Sequence, residues 1–394
     1  MTNNSRSLNP LKLLPLLASM VAITPLAIDM YLPAMPVIAK DLNSSNNAIQ
    51  ISLSLYLAGY ALGMLVFGPM SDRIGRRKVV ISGLIGFIIC SILLASTEQE
   101  HSFLSLRFVQ AVFGSGATVV VAGIIRDLYG EHTSKGLSYV SMIMMVAPLV
   151  APAIGSLILE VSVWPTIFYS LAAYALLILI LVIWKLPVSI PLKRDRNWLH
   201  EFFSNYHLVF SHKKSLVNII SSMLCSFAFF CYITSIAFVY IEYFKVSEGH
   251  FSILFGVNVL ALMLANITNT RLVVKKGSQF MLKIGMTIAV ISAGAFLLIT
   301  KLELSLYYSA VVLFPIIFGI ALIAVNSDAL ILMQFPQQTG TATAVIGTLR
   351  FGSGAFAGVL LGLLNDGTPL NLAILMFIPL LIVVIVQALN LGQE

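Results

Sequence analysis

Long apolar runs separated by short polar connections fill this chain from end to end. Inside the runs the polar residues do not alternate with the apolar ones; Val79 to Ala95, for example, reads VVISGLIGFIICSILLA. Runs of this kind predict helices of about 20 residues, the length that crosses a hydrocarbon core. A closed barrel would instead need segments of about ten residues with strict alternation. The runs place spans at 11–37, 48–70, 79–96, 102–125, 136–160 and 165–186, then at 215–240, 250–270, 281–300, 305–327, 338–363 and 369–390. The expected fold is therefore an all-α integral membrane protein with twelve transmembrane helices, and 394 residues leave no room for a separate soluble domain.

Composition agrees, with 59% hydrophobic and only 10% charged residues, against about a quarter charged in soluble domains. Cys90, Cys225 and Cys231 all fall inside apolar runs, which indicates neither a disulfide framework nor a metal site. The first run follows Arg6 and Lys12 as a signal peptide would. It continues past Asp29 into YLPAMP, however, and further spans follow, so it reads as a retained helix.

The net charge of +7 sits in short connections and not on one face of a soluble unit, so no nucleic-acid partner is expected. Most of the 23 Lys and Arg residues fall on one side, among them Arg6, Lys12, Arg73, Arg76, Arg77, Lys78, Arg126, Lys135, Lys193, Arg194, Arg271 and Lys275. The other side holds Lys40, Lys245 and Lys301. Basic loops favour the cytoplasm, so both termini are expected there, with the protein multi-pass in the cell inner (plasma) membrane. The longest connection includes NWLHEFFSNYHLVF, which predicts a helix lying at the membrane surface. It divides the chain into a first six-helix bundle (1–190), a linker (191–214) and a second bundle (215–394). Topology alone leaves several twelve-span transporter folds open.

Between the second and third runs the chain reads GPMSDRIGRRKVV, with Gly68, Asp72, Arg73, Gly75, Arg76 and Arg77 in a tight turn. Glycine permits the reversal, and Asp72 can accept from basic side chains or a neighbouring helix start, contacts suited to latching one state of a moving interface. A merely basic loop would explain the Arg residues but not the spaced Gly and Asp. The segment resembles the G-x-x-x-D-R-x-G-R-R/K signature of the major facilitator superfamily. LRFVQAVFGSGA in the fourth run, with Arg107 and Gln110, is similar to that family's second motif but has Ala111 and Phe113 where glycines are usual. APLVAPAIGSLI in the fifth run places Pro148, Pro152 and Gly155 close together, predicting a bent, tightly packed helix. It resembles the antiporter motif of drug-exporting members, with Ala151 and Ser156 in place of glycines. Added to IDMYLPAMP, RDLYG, FVYIEYFKVS and GTATAVIGTLRFGSGA, these segments resemble the Bcr/CflA group of drug-resistance exporters over nearly the whole chain. That resemblance implies the major facilitator fold, two pseudo-symmetric six-helix bundles, and proton-coupled drug antiport.

Few ionisable residues lie within the spans, where an Asp or Arg costs about 2.5–3.5 kcal/mol on insertion scales. Asp29, in the outer part of the first run, and Arg107, near the outer start of the fourth, match in depth. Asp29 is the candidate proton carrier and Arg107 a nearby cation that tunes its proton affinity, with Tyr31 as a possible hydrogen-bond partner; the alternative is a permanent, purely architectural Asp29–Arg107 pair. The resemblance supports the first reading, since such exporters link substrate and proton at a helix 1 acid. Arg350, near the midplane of the eleventh run, either braces the second bundle or meets a substrate carboxylate. Asp328 reads as solvated or capping, and Asn258 and Asn266 as interhelical hydrogen-bond partners. Tyr56, Tyr60 and Phe230 either line a site for planar drugs or pack the core.

The expected activity is export of small organic molecules by alternating access. It needs no cofactor beyond the proton gradient as energy source, and the expected partners are a small-molecule substrate, protons and the lipid bilayer, with the chain acting as a monomer. Export of an endogenous metabolite or siderophore, and proton-coupled uptake on the same fold, stay open. A membrane enzyme is disfavoured, because the six histidines lie at or outside the ends of the runs and no Cys/His cluster accompanies them. A sensor is disfavoured because no signalling domain is appended.

Overall fold

Helices satisfy every backbone N–H and C=O inside one segment, which is why apolar runs in lipid adopt them. The computed structural model describes residues 13–129, 133–186, 211, 213–335, 339–364 and 368–391; at some helical positions, among them Asp72, 126–129 and most of 133–145, the side chain lies outside the description. Most of the linker expected at 191–214, with its surface helix, also lies outside the described residues.

The first bundle contains α1 (Leu14–Asp29), α2 (Met35–Asp41), α3 (Asn46–Ile74), α4 (Arg76–Ala95), α5 (Glu100–Thr118), α6 (Val121–Tyr129), α7 (Thr133–Val161) and α8 (Pro165–Lys185). The second contains α9 (Lys213–Ala237), α10 (Glu248–Lys276), α11 (Ser278–Lys301), α12 (Leu306–Gln334), α13 (Thr339–Leu364) and α14 (Leu370–Leu391). Among the described residues, eleven helical segments are long and apolar enough to cross a membrane, and α7 adds the shorter apolar stretch Val146–Val161. The expected spans are all present. Several helices extend further than their apolar runs, because polar turns such as Met70 to Ile74 keep helical hydrogen bonding once they leave the lipid.

Local chemistry explains the interruptions. The first span breaks after Asp29 and resumes through a 3₁₀ turn at Leu32–Ala34, where Pro33 and Pro36 remove backbone donors. The fourth span steps from α5 to α6 at Val119 and Val120. α9 ends in a π-helical turn, Phe238–Tyr243. Gly75, at φ 95°, turns α3 into α4, and Gly277, at φ 81°, turns α10 into α11; the two occupy corresponding places in the two halves.

Within the first half α3 and α4 pack on α5, and α4 on α8; within the second, α12 packs on α11, α9 and α10, and α14 on α9 and α11. The halves meet along two seams, α3 with α13 and α7 with α10. On the face away from the termini these seams are hydrogen-bonded. The Ser156 hydroxyl donates to the Glu248 carbonyl at 2.9 Å and lies 2.6 Å from the Ser252 hydroxyl. Asn47 donates to the Gly362 carbonyl at 3.2 Å, and the Gly358 amide to the Ser54 hydroxyl at 2.8 Å.

Candidate functional site: a central cavity and its charges

A cavity of about 350 Å³ lies between the halves. Its walls come from α1 (Thr24, Ile28, Asp29), α7 (Pro148), α9 (Ser226, Phe229, Phe230, Tyr232), α10 (Phe255, Asn258, Asn266), α12 (Ile320, Asp328) and α13 (Arg350, Phe351). The lining is mostly apolar and aromatic, with three charged side chains.

Asp29 is the first of them. It sits at the last turn of α1 and is buried in the protein, and its carboxylate makes no hydrogen bond or ion pair to any described residue. Arg107 is not its partner. The guanidinium is fully buried outside the cavity lining, sandwiched 4.5 Å from the ring centres of both Tyr31 and Tyr56. It donates to Gln110 Oε1 at 2.7 Å and to the Ala27 carbonyl at 3.2 Å, and Gln110 in turn donates to Ser91. Because α1 stops at Asp29, Ala27 is among the final carbonyls that the helix leaves unpaired, and a cation there is favourable. Arg107 therefore caps the broken end of the first span. The matched depths expected from sequence are real, but Asp29 leaves α1 on another face, which excludes the permanent Asp29–Arg107 pair in this conformation.

Asp328 and Arg350 depart from expectation in the other direction. Arg350 Nη2 donates to Asp328 Oδ2 at 2.5 Å, and the Ser222 hydroxyl donates to Asp328 Oδ1 at 2.7 Å. Asp328 is thus neither simply solvated nor a cap: it is the partner that Arg350 needs. The long arginine side chain reaches from α13 to the carboxylate on α12. Two opposite charges in neighbouring spans of one bundle were the available signal.

Of the aromatic candidates, Phe230 lines the cavity and packs on Phe351 at 5.8 Å. Tyr31 and Tyr56 serve Arg107, and the Tyr31 hydroxyl lies 2.6 Å from Ser52 Oγ, away from Asp29. Tyr60 shares a 2.7 Å hydrogen bond with Thr118, and its ring lies against Phe351. Asn258 donates to the Tyr232 hydroxyl across helices at 3.0 Å. Asn266 instead bonds back to the Leu262 carbonyl of its own helix, so its interhelical role is not observed.

The glycine-rich turn holds the first bundle together. Arg76 donates to the Gly123 carbonyl and Arg77 to the Ile183 carbonyl at 2.5 Å, tying α4 to α6 and α8. Gly68 and Arg73 lie in the last turns of α3, and the side chain of Asp72 is outside the described residues. In α7, Pro148 faces the cavity and the Pro152 carbonyl accepts from Ser252 across the seam at 3.0 Å. Gly155 lies directly against the Met30 carbonyl. Close approach to α5 survives Ala111 and Phe113 because the facing helices supply the glycines: a methyl on Gly83 would come 2.7 Å from the Phe113 carbonyl oxygen.

The sequence profile of the Major Facilitator Superfamily matches residues 17–389. The chain is 31% identical over 351 residues to the bicyclomycin resistance protein homolog of Haemophilus influenzae, covering 87% of each. It is 28% identical over 386 residues to the multidrug resistance protein MdtL of Vibrio parahaemolyticus, covering 92% of this chain and 94% of the relative. Its fold superposes on a partially occluded inward-open structure of the xylose transporter XylE from E. coli with a TM-score of 0.75 at 14% identity, covering 96% of this chain and 97% of the other.

Proposed function

The chain belongs to the Major Facilitator Superfamily, and we propose that it is a proton-driven antiporter exporting drugs and similar small organic molecules across the cell inner membrane. The observation that carries this reading is a carboxylate, Asp29, with no partner among the described residues, on the wall of an otherwise largely apolar cavity between the two bundles. Such an acid is costly in a membrane unless it exchanges protons or meets cargo. The relatives named for bicyclomycin and multidrug resistance favour drugs over sugars as cargo.

In the proposed cycle, residues 1–190 and 215–394 rock as two bodies joined by 191–214, with both termini cytoplasmic. The hydrogen-bonded seams on the face away from the termini hold the outer side closed in this conformation. Cargo enters from the cytoplasm and displaces the proton from Asp29. After the bundles rock, a proton from outside displaces the cargo and resets the carrier. Arg107 fixes the end of α1 so that the carboxylate keeps its aim. The protein works as a monomer and needs no cofactor.

Energised inverted vesicles with a pH-sensitive dye and a panel of antibacterial drugs test this. Wild-type vesicles lose part of their pH gradient when a transported drug is added. Asp29→Asn vesicles, with equal protein inserted, do not. An undiminished response in the variant would sink the role of Asp29, and no response to any drug in wild type would sink drug antiport.

A further inference from the structure

The cavity has two polar poles, and they differ in kind. At one, Asp29 has no partner among the described residues and, when ionised, carries a negative charge that nothing in the lining neutralises. At the other, Asp328 spends one oxygen on Ser222 and the other on Arg350. The guanidinium spends only one of its five N–H donors on Asp328 and has no other described hydrogen-bond partner. Its side chain is 34% exposed, and it lines the cavity. Asp328 therefore holds the arginine in place and balances its charge without filling its donor fork. The same cavity wall carries the rings of Phe229, Phe230 and Phe351.

We propose that Asp29 and the Asp328-held Arg350 are the two anchors of an amphoteric cargo: a ring-bearing molecule with a basic nitrogen at one end and a carboxylate or similar acidic oxygen at the other. The ranking of charge types follows from electrostatics. A simple cation satisfies Asp29 and leaves the guanidinium donors empty. A simple anion gains the guanidinium but meets the unbalanced Asp29 charge. An amphoteric molecule places its nitrogen on the carboxylate and its oxygens on the remaining N–H groups, a geometry for which arginine is better suited than lysine. The cavity volume suits a small bicyclic body. This inference rests on the reading of the cavity as the cargo site and adds the cargo's chemical class.

The test uses the purified full chain in lipid nanodiscs and matched triads built on indole, naphthalene and quinoline rings. Each triad contains a free amino acid, its methyl ester and its N-acetyl acid. In wild type the amino acids bind about tenfold or more tighter than the esters, the size expected of one charge-assisted contact, and the acids bind weakest. Replacing Arg350 alone leaves Asp328 unpaired and risks misfolding. The variant compared is therefore the double Asp328→Asn/Arg350→Gln, which removes both charges together and abolishes the advantage of amino acid over ester. Esters that bind wild type as tightly as the amino acids in all three series, a preference that survives the double variant, or no binding at all would overturn the proposal. Ala324→Trp, which fills the cavity from α12, separates the two levels. If drug-driven proton flux ignores the tryptophan, the cavity is not the cargo site. If the tryptophan blocks flux while amino acids and esters bind wild type alike, the cavity reading stands and the amphoteric class falls.

Discussion

Replacing Gly155 by alanine places one methyl group where α7 crosses the broken first span. A carbon there would lie 3.0 Å from the Met30 carbonyl carbon and 3.1 Å from Pro33 Cγ, with the Met30 oxygen nearer still. None of these is the free end of a flexible chain: two belong to the backbone and the third to a proline ring. Either α7 or the Asp29 turn must therefore move. Overpacking of this kind costs about 1–3 kcal/mol. If the cost falls mainly on the conformation whose outer face is sealed, the balance between conformations shifts roughly five- to 150-fold. Spin labels at Val163→Cys and Glu303→Cys, both exposed on the outer loops, read the separation of the halves. The native Cys90, Cys225 and Cys231 are buried and compete little for label. The expected result is a larger population of long label distances together with a lower Tm. An unchanged distance distribution and an unchanged Tm would refute the claim that α7 and the Met30 backbone are in unyielding contact.

Arg107→Gln removes a cation held between two tyrosine rings and the cap on α1. It should lower stability by about 3 kcal/mol, read as a fall in Tm, and Arg107→Lys should recover less than half of that because it lacks the fork. Ser156→Ala loses the seam contacts to Glu248 and Ser252, and should move the same label distances toward separation by about 1 kcal/mol. Asp328→Asn and Arg350→Gln should each destabilise more than half as much as their double variant does. Their coupling is expected to be about 1 kcal/mol, less than for a fully buried pair because the two side chains are 22% and 34% exposed. Additive thermal shifts in that cycle would mean that the pair contributes nothing.

The spans were legible because lipid leaves the backbone few choices, and run length decides them. Asp29 stood out for the same reason, as a charge that the bilayer penalises wherever it points. What the sequence could not supply is azimuth. Asp29 and Arg107 match in depth, yet one faces the cavity and the other an aromatic cage, because depth follows from counting residues whereas facing depends on how each helix is rotated about its axis. Asp328 and Arg350 failed in the opposite sense. Residue counting set them apart, and only the reach of an arginine side chain joins them. Asn266 illustrates a third limit: an amide in a membrane helix can satisfy itself on its own backbone, and no pattern of spacing announces that choice.

Gly75 and Gly277 adopt backbone angles open to almost no other residue, at matching places in the two halves. Each half therefore carries the same stiff elbow, and an elbow that only glycine can form has little room to flex into another shape. In the proposed cycle, rocking of one half against the other must then be absorbed along the seams, where Ser54 faces Gly358 and Ser156 faces Ser252. Short side chains of this sort release and re-form their contacts with little reorganisation. In mechanical terms the proposed motion is that of two rigid jaws rocking on a greased joint.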